Sequence, residues 1–438
     1  MNGRVKWITG ALLLFSLVVR GQDKPAQWDL KSCIDYAKAQ NIQIKKSKVS
    51  LQESQENTRQ ARAALLPSLS FSTSHNLVNH PKSETSDKND YSGNYGLNTS
   101  VDLYNGGKLR KSIKQQELQD RIQELTIQEA ENDIELAITE AFVQLLYANE
   151  TVDINRNAVE ISKAQRDRAE QLLAAGSISS TDLAQLESQY NSDKYQLVAA
   201  QTTLEDVRLQ LKQLLELEVT DHLELLIPAI PDSEVLTVLP GKVQVYETSL
   251  QIMPQIEYSR INIDAAGLGV AKAKAGYWPS LRLTAGIGTG HVSGSSFTFG
   301  NQLRNSFNES VGLSLSVPIF SNRSNKTAVK LAQLSVETSE LNYVGMQKDL
   351  LKSVEKAYLD ATSSQAKYKA AIESMKASEM SFKLVEEQFN LGMKNTVELL
   401  TEKNNLLSAQ QEVVQAKYMS VLNLQLLNFY QGKPIEIK

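Results

Sequence analysis

Ala61-Arg-Ala-Ala-Leu-Leu-Pro-Ser-Leu69 and Ala273-Lys-Ala-Gly-Tyr-Trp-Pro-Ser-Leu281 share one pattern and lie 212 positions apart. Asn41-Ile-Gln-Ile-Lys45 matches Met253-Pro-Gln-Ile-Glu257 at the same offset. Farther along, Val101-Asp-Leu-Tyr-Asn105 matches Val317-Pro-Ile-Phe-Ser321 at an offset of 216. Matches in the same order at nearly constant spacing indicate a tandem repeat of roughly 215 residues.

Each half contains two segments in which apolar side chains alternate with small or polar ones, the period of a β-strand. They begin near Leu69 and Tyr95 in the first half and near Leu281 and Val311 in the second. Strands of about ten residues with one apolar face are typical of an outer-membrane barrel, and a soluble β-sandwich hairpin is the alternative. The polar segments 75–93 and 288–309 are predicted to be extracellular loops.

A very long helix is predicted after each strand pair. No proline occurs in residues 108–175 or 325–391, and about 66 residues of helix span roughly 100 Å. Gly176 and Gly392 interrupt these segments, and a second helix follows each glycine. In the first half that helix carries a heptad pattern, which favours a coiled coil. The segment from Trp28 to about Leu66 is predicted to be a single helix.

The amino terminus reads as a secretory signal peptide over residues 1–21, with basic residues before a short apolar run. The first repeat is then predicted over residues 22–239, with strands at about 67–104 and a helical hairpin at about 108–217. The second is predicted over residues 240–438, with strands at about 279–320 and a hairpin at about 325–431.

Composition argues against an enzyme or a nucleic-acid-binding protein. The 46 basic and 50 acidic residues give a net charge of −4, which provides no electrostatic footprint for nucleic acid. Cys33 is the single cysteine and there are four histidines, so an intrachain disulfide and a cysteine-rich metal site are excluded. His75 and His80 are expected in a solvated loop, and Cys33 is expected to be a buried thiol. No catalytic residue, metal or cofactor is predicted.

Four membrane strands cannot close a barrel, and an open sheet edge in lipid leaves backbone amides without partners. Copies of the chain must therefore join. Three copies give 12 strands, but two or four copies also give an even number, so strand count alone does not decide between them.

The chain resembles the TolC-like outer-membrane efflux protein family over nearly its whole mature length. The resemblance rests on the duplicated layout of strand pair and long helix, Pro-Ser-Leu at 67 and 279, Leu-Tyr-Asn-Gly-Gly at 103–107 and Val-Pro-Ile-Phe at 317–320. It implies a mainly α fold, with a long α-helical coiled-coil barrel and four membrane strands per chain that close as a trimeric 12-stranded β-barrel. Pro67, Pro279, Gly106, Gly107 and Pro318 would form the junctions between barrel and helices.

The resemblance also places functional residues at the periplasmic tip, around the turns at Gly176 and Gly392. The family has acidic residues six and nine positions after the second glycine, which narrow the pore. Here these positions hold Glu398 and Thr401, so the first acidic ring is expected and the second is not, unless Glu402 replaces it.

Neighbouring coils in the family are also locked together at the tip. Here the corresponding positions hold Asp182 with Lys394, which can pair, and Thr181 with Phe389, which cannot accept a hydrogen bond. The alternative without a functional role is that Asp182 and Glu398 are solvated carboxylates at helix starts, where the helix dipole favours them.

The predicted function is that of an outer-membrane exit duct of a tripartite efflux system, which conducts small toxic compounds out of the periplasm and is gated at the tip. Its expected partners are two further copies of the chain, a periplasmic adaptor protein, an inner-membrane pump and outer-membrane lipid. Type I protein secretion or heavy-metal cation efflux is the alternative within the family. A non-channel periplasmic coiled-coil scaffold is the alternative outside it, and a porin would need many more strands.

Overall fold

The computed structural model describes residues 27–81 and 89–437, so the predicted signal peptide lies outside the described residues. Four strands occur among them: β1 (Ser68–Asn79), β2 (Asn89–Asn105), β3 (Ser280–Val292) and β4 (Asn308–Ser316). The helices in the same ranges are α1 (Leu30–Gln40), α2 (Ile42–Ala63), α3 (Lys108–Ala174), α4 (Ser180–Leu214), α5 (Asp232–Val235), α6 (Lys242–Ile252), α7 (Pro254–Lys274), α8 (Phe299–Asn305), α9 (Ser324–Asn390) and α10 (Thr396–Tyr430). No helix in the described parts of the chain has both the length and the apolar character to cross a membrane.

The helix boundaries repeat at the offsets that the sequence predicts. α1 and α6 begin 212 positions apart, and so do α2 and α7. α3 and α9 each contain 67 residues and begin 216 positions apart, and α4 and α10 each contain 35 residues at the same offset. The tandem repeat and the two helices of about 100 Å are therefore confirmed.

The strands form one antiparallel sheet in the order β1-β2-β3-β4. One face carries the apolar side chains in register, as in the row that pairs Phe71 with Leu97 and Leu97 with Ile287. The other face carries small and polar residues, as where Ser70 pairs with Asn98 and Asn98 with Gly286. In a single chain β1 and β4 are the two edges of this sheet.

The predicted loops 75–93 and 288–309 are wrong at their ends. β1 continues to Asn79 and β2 begins at Asn89, because polar pairs such as Asn76 with Ser92 and Asn79 with Asn89 extend the ladder into the predicted loop. In the second half β3 continues to Val292 and α8 occupies part of the segment. Backbone pairing does not require apolar side chains.

The expectation that His75 lies in a solvated loop is also wrong, because His75 lies in β1. Its Nδ1 is 2.8 Å from the Tyr91 hydroxyl oxygen. Its ring is stacked on Tyr91, with centroids 5.9 Å apart, and lies 6.3 Å from the ring of His291. Gly93 separates the two histidines, and a Cβ there would lie 2.3 Å from His291 Cε1. These rings lie on the apolar face at the end of the sheet farthest from the long helices.

The single helix predicted from Trp28 to about Leu66 is divided at Asn41. The Asn41 backbone leaves the helical region (ψ 131°), and its Oδ1 accepts hydrogen bonds from the Gln43 and Ile44 amides at 2.8 and 3.3 Å. This side chain caps α2. The equivalent break precedes Pro254, which occupies the first turn of α7.

One helix continues each strand at the barrel end of the molecule. α2 leads into β1 and α7 into β3, while α3 follows β2 and α9 follows β4. α3 packs between α2 and α7, and α9 packs on α7.

The predicted junction residues lie between these elements. Pro67 and Pro279 each precede a strand by one residue, and Pro318 lies between β4 and α9. Gly106 and Gly107 have φ of 66° and 75° between β2 and α3, a conformation that favours glycine.

The largest apolar cluster lies at mid-height, where α1, the segment after α4 and the carboxyl terminus pack on the long helices. Trp28 forms a parallel bridge with Leu225, and Cys33 is completely buried beside it. Burial raises the pKa of the Cys33 thiol to about 12, so the prediction of a buried thiol is confirmed. A separate cluster at the far end joins both hairpins: Ala169, Leu186, Phe382, Phe389, Leu399 and Leu406.

Candidate pore constriction at the helical tip

Both tip turns have the same backbone geometry. Gly176 and Gly392 have φ of 73° and 74°, and neither has a heavy atom close to where a Cβ would stand. The amide after each glycine bonds back into the preceding helix, from Ser177 to Leu172 and from Met393 to Gln388. This is the Schellman arrangement, in which a left-handed residue closes the helix. The glycines are therefore needed for backbone conformation.

A capping box starts each returning helix. Ser179 Oγ accepts the Asp182 amide at 3.1 Å, and Asp182 Oδ2 accepts the Ser179 amide at 3.1 Å. Asn395 and Glu398 form the same reciprocal pair at 2.9 and 3.1 Å. Both predicted acidic residues thus satisfy amides that a helix start leaves without partners.

Asp182 also joins the two hairpins. Its Oδ1 accepts a hydrogen bond from Thr396 Oγ1 at 2.8 Å, and Thr396 is buried. The bond from the Ser179 hydroxyl, followed by that from Thr396, holds the pKa of Asp182 below its ordinary value. The stabilisation that this carboxylate provides is present above the ordinary aspartate pKa and is lost as the pH falls through the lowered one. Asp182 is therefore ionised at neutral pH.

Lys394 pairs with Glu398 within the chain, four residues along the same turn. The Lys394 ammonium, followed by the Asn395 amide, lowers the pKa of Glu398. Asp182 accepts from Ser179 and Thr396, so the structure does not bring Asp182 and Lys394 together within one chain. The predicted lock between neighbouring coils stays a prediction.

The remaining predicted tip residues have different environments. Thr181 is exposed, whereas Phe389 is buried in the tip cluster beside Leu399. Thr401 is exposed and donates to the Val397 carbonyl of its own helix. Glu402 is half-buried, and its Oε2 accepts from Ser381 of α9 at 2.8 Å. Glu402 thus joins α9 to α10.

Sequence reasoning missed the buried ion pair between Lys403 of α10 and Asp193 of α4. Their side chains are only 4% and 3% exposed. Gln189 Nε2 donates to Asp193 Oδ1 at 2.8 Å and completes the polar contact. Burial lowers the pKa of Lys403, and the charge of Asp193 opposes that shift. Farther up, Gln165 of α3 donates to Glu386 of α9 at 3.2 Å.

The tip therefore holds polar contacts and fixed charges on two joined hairpins, an arrangement suited to limiting passage. In the described parts of the chain, no group of three or more His, Cys, Asp or Glu side chains is placed to hold a metal ion.

Residues 33–216 and 245–432 match the protein family described as "Outer membrane efflux protein". The chain belongs to this family. The two matched ranges follow the two halves of the repeat. The protein lies in the outer membrane, with a long periplasmic helical domain, and acts as an exit duct of an efflux or secretion system.

Individual relatives agree with this assignment. Outer membrane protein TolC of Escherichia coli (strain K12) is 22% identical over 420 residues, which cover 94% of this chain and 84% of the relative. Alkaline protease secretion protein AprF of Pseudomonas aeruginosa is 23% identical over 384 residues, which cover 85% and 77%. A crystal structure of CusC has a TM-score of 0.81 at 20% identity, with 93% of each chain covered, which shows the same fold.

We predict that removal of one partner of the Asp193–Lys403 pair destabilises the protein far more than removal of both. Lys403→Met leaves a buried carboxylate without its counter-ion, which costs about 3–5 kcal/mol, whereas Asp193→Leu with Lys403→Met should be close to neutral. Denaturant unfolding of the detergent-solubilised protein, followed by helical circular dichroism, measures both free energies.

The exposed pair Lys376–Glu373 is the matched control, since its side chains are 62% and 74% exposed. Lys376→Met should cost no more than about 1 kcal/mol. Equal losses for Lys403→Met and Lys376→Met would contradict the prediction.

Proposed function

We propose that three copies of the chain close into one conduit, with a 12-stranded barrel in the outer membrane and a helical cylinder in the periplasm. The sheet is the observation that carries this proposal. Its apolar face suits lipid and its polar face suits a water-filled lumen. Its two edges, β1 and β4, need partner strands in lipid, which neighbouring copies would supply.

The helical domain supports the same assembly, because exposed apolar side chains follow α4 and α9. Tyr195 and Val198 of α4 are 71% and 60% exposed, and Leu359 and Met380 of α9 are 66% and 69% exposed. Apolar rows of this kind mark surfaces that another chain covers. α4 and α9 belong to different hairpins, so α4 of one copy would meet α9 of the next.

The lumen of this conduit would be polar and nearly neutral within the barrel. Serine, asparagine and glycine dominate the polar face of the sheet. Asp102 and Arg282 on that face form an ion pair at 2.7 Å. We propose small toxic compounds as the substrate, delivered by an adaptor protein and an inner-membrane pump that dock at the tip.

The gate of the conduit would lie at the Gly176 and Gly392 turns. Glu398 would contribute one carboxylate per copy to a ring, with Thr401 one turn farther along α10. Asp182, Thr181, Lys394 and Phe389 remain the proposed positions of the lock between neighbouring coils. The Asp182–Thr396 contact supports this placement, since it already joins the two hairpins at the level of Glu398.

We predict that the detergent-purified protein is a trimer. Native mass spectrometry should give a mass of three mature chains, because only joined copies remove the sheet edges from lipid. A stable monomer or dimer in a detergent that preserves the helical circular dichroism would contradict the proposed closure.

We predict that deletion of the gene sensitises cells to toxic compounds. Profiling compound accumulation with and without the gene measures this, and a chain with Glu398→Gln should restore export because the conduit stays intact. Protein secretion is the second candidate, favoured by the similarity to a protease secretion protein. Unchanged accumulation together with the loss of secreted proteins would favour secretion over efflux of small compounds.

We predict opposite changes in ion selectivity for the two members of the Lys394–Glu398 pair. Glu398→Gln removes negative charge from the constriction and should weaken cation preference and block by multivalent cations. Lys394→Gln leaves Glu398 without its counter-charge and should increase both. Reversal potentials in planar bilayers measure the effect.

Glu387→Gln is the matched control for that selectivity experiment. It removes the same charge from an exposed position of α9 outside the tip turn. Equal reversal potentials for Glu398→Gln, Glu387→Gln and the unmodified channel would mean that the constriction lies elsewhere.

A further inference from the structure

Four exposed basic residues lie at the barrel end of the long helices. Arg110 and Lys114 occupy the first turns of α3, and Lys326 and Lys330 occupy the first turns of α9. The two pairs are related by the repeat offset of 216, so both halves place positive charge at the same height. These four residues are called the basic collar below.

The basic collar lies on the outer side of the helical wall. Leu109 and Ser112 line a cavity of about 460 Å³ together with Asp102 and Ser316 of the polar strand face, so they lie on the side of the lumen. Arg110 and Lys114 are four residues apart and share a helix face, which is turned well away from Leu109 and Ser112 at 100° per residue. The repeat gives Lys326 and Lys330 the same orientation.

Large exposed apolar side chains adjoin the collar on its membrane side. Tyr104, which pairs with Leu281 of the apolar strand face, is 46% exposed, and Phe320, 216 positions later, is 84% exposed. An apolar or aromatic residue followed within two helical turns by a basic one is typical of a membrane–water boundary.

The span of the sheet fits this boundary. From Leu281 to His291, β3 advances ten residues, or about 33 Å along the strand. At the usual tilt of about 40° that is roughly 25 Å of membrane thickness, the height of the apolar band of a barrel. The rings around His75 and His291 then mark the outer boundary, and the collar marks the periplasmic one.

The collar has no counter-charge of its own. None of its four residues forms an ion pair with an acidic residue in the described parts of the chain. Residues 103–116 and 310–336 contain no aspartate or glutamate. The nearest acidic residue along α3, Glu117, pairs with Arg62 of α2 at 2.7 Å.

We propose that the basic collar binds the phosphate groups of anionic phospholipids in the periplasmic leaflet of the outer membrane. The charge of the collar is local, since the whole chain has a net charge of −4. The collar lies at the periplasmic end of the apolar sheet face, which is the level of the lipid headgroups. The proposed partner is therefore a lipid. Binding there would fix the height of the barrel and keep the long helices upright.

The experiment compares phospholipid binding to the intact detergent-purified oligomer by native mass spectrometry. Phosphatidylglycerol, phosphatidylcholine of equal chain length and lipid A are titrated separately at low salt. One variant carries Arg110→Gln, Lys114→Gln, Lys326→Gln and Lys330→Gln. The control carries Lys163→Gln, Lys348→Gln, Lys352→Gln and Lys383→Gln, which remove four exposed charges from the same helices at lower levels.

The unmodified protein and the control should prefer phosphatidylglycerol, and the collar variant should lose that preference. Each basic residue near a charged membrane surface contributes on the order of a fivefold change in binding at low salt. The preference should also shrink as the ionic strength rises.

Equal preference in the collar variant and the control would overturn the proposal. Two other outcomes would do the same: no preference in the unmodified protein, or a collar-dependent preference for lipid A without one for phosphatidylglycerol. Loss of the oligomer mass in the variant would show damaged assembly, and the single changes Arg110→Gln and Lys326→Gln then carry the comparison. All these outcomes leave the proposed export function intact.

Discussion

The constraint on which the structure depends is that backbone amides in lipid must find partners. One chain provides a four-stranded sheet whose edges are β1 and β4, so the barrel can close only between copies. The same constraint fixes the helical domain. Each strand connects to one helix at the barrel end, namely α2, α3, α7 or α9. The number of strands in the closed barrel therefore sets the number of helices around the cylinder below it.

At the tip, the contacts within one chain differ in kind from those available between chains. Within the chain, an apolar cluster and the polar pairs Asp182–Thr396 and Asp193–Lys403 hold the two hairpins together. Between chains, the exposed rows on α4 and α9 are available. Separation of the hairpins of one chain would expose the apolar tip cluster to water and break the Asp182–Thr396 hydrogen bond. Opening between copies would leave these contacts intact.

Much of the fold could be predicted from the sequence because the repeat is long and its matching motifs recur at nearly constant spacing. The absence of proline in residues 108–175 and 325–391 predicted both long helices. The break at Asn41 was missed because asparagine also occurs within helices, although its repeat partner precedes Pro254 and so carried the signal. The strands were predicted too short, since apolar alternation marks only the part of a strand that faces lipid. Polar pairing above the membrane, as at Asn79 and Asn89, leaves no such pattern.

At the tip, the family pattern predicts the positions of single residues but not how the two hairpins pack against each other. Asp182 and Glu398 could be predicted by position, but the partner Thr396 could not, since it depends on how two hairpins meet. Asp193 and Lys403 did carry a signal. Asp193 lies seven residues after Leu186 and seven before Ala200, so it interrupts an apolar core position of its heptad, and Lys403 lies between Leu399 and Leu406 on the apolar side of α10. A charge at such a position requires an opposite charge at the same height, and a shift of one hairpin by a helical turn would separate the two. The pair can thereby set the register of the hairpins, which apolar side chains alone would leave less strictly defined.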